Sequence, residues 1–69
     1  MSVRLTISYP PRIGWSQRKR TVEHDIYPDR AEAMRNVRDE FPGIHAEDDA
    51  TFVGVLRRRH DVIVTIEEA

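Results

Sequence analysis

The side chains of this chain that are able to do chemistry do not converge. His24, His45 and His60 fall in three different stretches, and none shows the i, i+4 spacing with which a helix presents two imidazoles to one metal. His45 with Glu47, Asp48 and Asp49 offers oxygen ligands, but the run lacks the periodic acids and the glycine of a calcium loop. Ser2, Ser8 and Ser16 have no base near them in sequence, and no glycine-rich run cradles a phosphate. There are no cysteines, so no thiolate or disulfide is supplied and the redox compartment stays open. A pocket that excludes water is also hard to enclose with 69 residues. The expectation is a non-enzymatic protein with no metal and no cofactor.

Recognition chemistry is better represented. The stretch Pro10-Pro11-Arg12-Ile13-Gly14-Trp15-Ser16-Gln17-Arg18-Lys19-Arg20 holds the only tryptophan, flanked by the four basic side chains Arg12, Arg18, Lys19 and Arg20. Tryptophan with arginine is the pairing most enriched in interface hot spots. An indole beside guanidinium groups can equally stack a base while the cations hold phosphates. Trp15 can instead fold back as a lid on the end of a sheet, and the spacing does not decide between lid and anchor. Arg57-Arg58-Arg59-His60 is the second basic site, suited to gripping a phosphate or carboxylate in bidentate fashion. On a strand, alternation sends Arg57 and Arg59 to one side and Arg58 to the other.

The formal net charge of −1 conceals a segregation. Residues 1–22 carry only positive charges, Arg4, Arg12, Arg18, Lys19 and Arg20. In residues 23–49 the acids Glu23, Asp25, Asp29, Glu32, Asp39, Glu40, Glu47, Asp48 and Asp49 outnumber Arg30, Arg35 and Arg38. A two-signed surface suits a partner of mixed charge better than a uniform polyanion, and dedicated DNA binders usually carry a basic domain charge. No apolar run approaches the ~18 residues of a membrane span, and Arg4 interrupts anything resembling a signal peptide. The expected setting is the cytoplasm, with no membrane partner.

The elements that must position these groups follow from periodicity. Residues 2–9 alternate, with Val3, Leu5, Ile7 and Tyr9 on one face, until Pro10-Pro11 ends the run. Residues 19–27 alternate again, so the two form an antiparallel hairpin with a long loop. Tyr27-Pro28 stops the second strand, Asp29 is a good N-cap with Glu32 at capping-box spacing, and Ala33, Met34, Val37 and Phe41 make a helical stripe over 29–41. Pro42-Gly43 ends that helix. Residues 51–58 and 61–67 are expected to be the third and fourth strands, with the turn at Arg59-His60. The predicted fold is one α+β domain over 1–69, β-β-α-β-β, a four-stranded and mainly antiparallel sheet with one helix packed on one face.

That layout leaves Phe52, Leu56 and Ile63 on the face the helix does not cover. They are either scattered surface residues or a patch for a partner or a second copy, a homodimer being compatible with any function. The junction Ile26-Tyr27-Pro28-Asp29-Arg30-Ala31-Glu32-Ala33 and the closing strand Val62 to Glu67 give the chain a layout that resembles small accessory proteins of phages and mobile elements, some anti-CRISPR proteins among them. That resemblance implies a class only, and no functional residue carries over. The sequence therefore points to a small interaction module that binds, and by occupying a site inhibits, a protein partner through Arg12, Trp15, Arg18, Lys19 and Arg20, with Arg57, Arg58 and Arg59 extending the surface. The alternative is nucleic-acid binding through the same cations.

Overall fold

The computed structural model describes residues 1–11 and 19–69. Strand β1 is Val3–Tyr9 and strand β2 is Thr21–Tyr27; they pair antiparallel, with Val3 opposite Tyr27 and Tyr9 opposite Thr21. Helix α1 is Arg30–Glu40, opened by Asp29, whose Oδ1 accepts the Glu32 backbone N–H at 2.9 Å. The return half of the expected capping box is replaced: the Glu32 carboxylate pairs instead with Arg35 at 3.0 Å. The helix ends in the Pro42-Gly43 turn, where the Ile44 N–H donates to the Phe41 carbonyl.

The rest of the chain departs from the expectation. Residues 51–58 do not form a strand. Helix α2 is Asp49–Val55 and runs on into a π-helical turn, Leu56–His60. Strand β3, Ile63–Glu68, then pairs antiparallel with β1, so the sheet has three strands in the order β2-β1-β3 and carries two helices. The four-stranded, one-helix arrangement is thus overturned, while the α+β class stands. Asp48 decides it. Its backbone is extended and its carboxylate accepts the Thr51 N–H at 2.7 Å, so it caps a helix where a loop was expected. Phe52 and Leu56, one helical turn apart, then face the same way and both go into the core.

The core is Leu5 and Ile7 from β1, Ala33, Met34 and Val37 from α1, Phe52 and Leu56, and Val62 just before β3. Residues directly opposite in a ladder share a face, so Val3, Leu5, Ile7 and Tyr9 lie with Val64 and Ile66 on the helix side, and Arg4, Thr6 and Ser8 lie on the outer side with Ile63 and Thr65. Arg38 ties α1 to α2. Its guanidinium lies 4.7 Å from the centre of the Phe52 ring and donates to the Ala46 carbonyl and to Asp49.

Two measurements test this arrangement. A methyl group added at Gly54 would meet only the end of the Arg58 side chain, at 4.0 Å. Gly54→Ala is therefore expected to stabilise the domain by about 0.5–1 kcal/mol, seen as a higher melting temperature, because it sits inside a helix. The second concerns acid. The Thr51 N–H holds the Asp48 carboxyl below its ordinary range. The folded chain therefore takes up this proton less readily than the unfolded chain. The cap's contribution is complete above about pH 4, the ordinary carboxyl range, and is lost as pH falls through the lowered folded value. Asp48→Asn should flatten the acid limb of a melting-temperature profile relative to the parent.

Candidate functional site

Of the residues expected to bind, Arg12, Trp15 and Arg18 fall in 12–18, outside the described residues. Lys19 is exposed and Arg20 is not a loose anchor. Its Nε donates to the Ser8 hydroxyl at 2.7 Å, its Nη2 to the Ser8 carbonyl at 3.1 Å, and its Nη1 pairs with the Asp61 carboxylate at 3.0 Å. A further bond from Nη2 reaches the Asp61 carbonyl. One guanidinium thus fastens the chain entering β2 to the end of β1 and to the residue that follows the π turn. Asp61 can serve there because its backbone is left-handed, with φ 54°, a conformation that aspartate tolerates better than most side chains. It is the one positive-φ non-glycine residue among those described.

Arg57, Arg58, Arg59 and His60 are exposed, as expected, but not at the tip of a hairpin. They occupy the π turn, where successive residues fan around an axis instead of alternating between two sides. Arg58 folds back so that its Nε donates to the Gly54 carbonyl at 3.3 Å, and Arg59 lies over a hollow with Gly43, Ile44 and His45. The expected patch of Phe52, Leu56 and Ile63 is also overturned. Phe52 and Leu56 are 1% and 0% exposed, since their helix turns them inward, and Ile63 alone remains on the outer sheet face.

A second surface was not anticipated. Between β2 and α1 runs an open groove of about 350 Å³, lined by Glu23, Asp25, Tyr27, Asn36 and Glu40, with Leu5 and Ile7 at its floor. The ladder puts Glu23 opposite Ile7 and Asp25 opposite Leu5, so both acids stand on the helix side of the sheet. Two tyrosines respond to this setting. Burial, then the bond to Glu40 at 2.7 Å and the nearby Glu23, pushes the Tyr9 phenol above its ordinary value. Burial and Asp25 raise that of Tyr27. The alternation of 21–27 contained this signal, with Thr21, Glu23 and Asp25 on one side. Which side would meet the helix could not be read, because Val22 and Ile26 look the more apolar.

The hydroxyl of Thr6 lies 3.0 Å from Nδ1 of His24, both on the outer face and open to water. Among the described residues no third group orients that imidazole, and no three histidine or acidic side chains come together as metal ligands. No helix among the described residues is long and apolar enough to cross a membrane. The chain matches no family model, no curated protein and no solved structure. The likeness of layout to phage accessory proteins, carried by the junction Ile26 to Ala33 and the strand Val62 to Glu67, finds no support in these comparisons.

The clamp gives a measurable expectation. Asp61 is 65% exposed on its side chain and Arg20 29%, so the ion pair is screened. A double-mutant cycle with Arg20→Ala and Asp61→Asn should return a coupling of about 0.2–1 kcal/mol in urea unfolding. Arg20→Ala alone should cost more, because the Ser8 bonds go with it.

Proposed function

We propose that this chain is a non-enzymatic interaction module that binds a protein partner through the basic end of the domain, with inhibition by occupancy as the consequence. The observation that supports this reading is the Arg20 clamp. By tying Ser8, Arg20 and Asp61 together, it draws the chain beside Lys19 to the end of the π turn that bears Arg57, Arg58, Arg59 and His60. Cations about 40 residues apart in sequence then share one end of the molecule, and Arg12, Trp15 and Arg18 belong to the connection leaving from it. A partner for such a surface carries acids around an apolar hollow able to seat an aromatic anchor.

Nucleic acid is the competing occupant. The acids on the β2 and α1 side and the net charge of −1 count against a long polyanion. The test is affinity purification from the native host followed by mass spectrometry, with parallel baits. Trp15→Ala and the combined Arg57→Glu, Arg58→Glu, Arg59→Glu variant should each lose the captured protein by tenfold or more while keeping a native circular dichroism spectrum. Unfolding of Trp15→Ala would mean that the indole is a lid. Retention of a labelled single-stranded oligonucleotide that falls steeply with salt would move the assignment to nucleic acid.

A further inference from the structure

Among the described residues, the β2 strand ends the sheet with its backbone unpaired on one side. The Ala69 N–H donates to the Ser2 carbonyl, so the even-numbered residues of β1 direct their backbone groups at β3 and the odd-numbered ones at β2. In β2 it follows that residues 21, 23, 25 and 27 bond to β1, while the N–H and C=O of Val22, His24 and Ile26 look away from the sheet. Only the Ile26 N–H among these has a partner within the described residues, the Asp25 carboxylate at 3.1 Å. The strand is exposed along almost its whole length.

An edge of this kind invites another strand, and its side chains decide which. A second copy is the obvious candidate, since Val22 and Ile26, 49% and 53% exposed, would meet across a two-fold axis through His24. The same axis sets Glu23 against Asp25 of the other copy, twice, at the non-hydrogen-bonded positions where side chains come closest. The outward backbone groups pair odd residues with odd ones, and a shift of two residues either way still sets Glu23 against Glu23 or Asp25 against Asp25. Like charges directly opposite are destabilising, and self-pairing is opposed.

A strand bearing cations at those positions meets the reverse situation. We propose that the β2 edge and the groove beneath it bind an extended basic peptide, added as a further strand, with lysine or arginine at alternate positions directed into the groove. The floor of Leu5 and Ile7 accommodates the aliphatic stem of each cation, and Glu23, Asp25 and Glu40 receive its charged head. Asn36 offers a neutral polar contact from α1. The intervening peptide side chains lie on the outer face beside Val22 and Ile26, which favours apolar or β-branched residues there. The peptide is thus specified by charge on one face and hydrophobicity on the other. This surface adjoins the basic end, where Tyr9 beside Ser8 bonds Glu40, but the inference does not rest on the function proposed there.

The experiment uses the full chain and blocked synthetic peptides. The probe is Thr-Lys-Val-Lys-Val-Arg-Thr, and its control has glutamine in place of each cation. Amide spectra of the labelled protein should shift at Val22, His24, Ile26 and Asn36 on adding the basic peptide. Fluorescence anisotropy should show the glutamine peptide binding at least tenfold more weakly. Glu23→Gln with Asp25→Asn, both exposed and expected to leave the melting temperature nearly unchanged, should weaken the basic peptide at least tenfold. It should also raise self-association in sedimentation at neutral pH, where the parent is expected to stay monomeric. The inference is overturned by shifts confined to other residues, by no binding at millimolar peptide, by equal binding to the double variant, or by a parent that dimerises through β2.

Discussion

Burial of the Phe52 ring is the interaction on which the remainder of the molecule depends. A sheet of three strands has an apolar face it cannot cover itself, and α1 supplies only Ala33, Met34 and Val37 to that face. Phe52 and Leu56 complete the cover from the other helix, and Arg38 lies on the ring from outside while holding the Ala46 carbonyl and Asp49. One cation thereby closes the core and fixes the start of α2 against the last turn of α1. With a net stability of roughly 3–5 kcal/mol expected at this size, few contacts can be spared. The segment of greatest apolar weight could not be left as a surface patch.

The fold was legible wherever one period dominated. The alternation of β1, the Pro28 stop, the Asp29 cap and the stripe along α1 all appear where they were read, as does β3 with Val64 and Ile66 inward. Residues 51–58 failed for a physical reason. Over so short a run, Phe52 and Leu56 satisfy a helical period while Thr51, Val53 and Val55 satisfy a period of two. The β-branched residues tilted the reading towards a strand. The deciding evidence sat outside the run, in Asp48, which looked like one more acid in an acidic loop. Local propensity then gave way to the need to cover the sheet.

The proposed binding surfaces were legible as residue types and not as positions. Lys19 and Arg57 to Arg59 are exposed as expected, but their association depends on a contact between Arg20 and Asp61 that spans 41 residues and has no local signature. The acidic groove stayed hidden because the two faces of β2 carry opposite messages. The apolar face points outward, and the charged face lies beside the helix. An edge strand tolerates this inversion, since neither face is fully enclosed. The result is a domain in which basic and acidic side chains lie side by side, so the near-neutral total says little about what it meets.

Asp61 carries a mechanical consequence. The residue that lets the chain leave the π turn in a left-handed bend is also the one that grips Arg20, so the start of β2 and the Arg57 to Arg59 turn hang from a common pivot. Force or displacement applied to either run is felt at the other through a few bonds, without passing through the hydrophobic interior. Arg20 and the exit from the π turn are thereby held to each other by bonds at the surface.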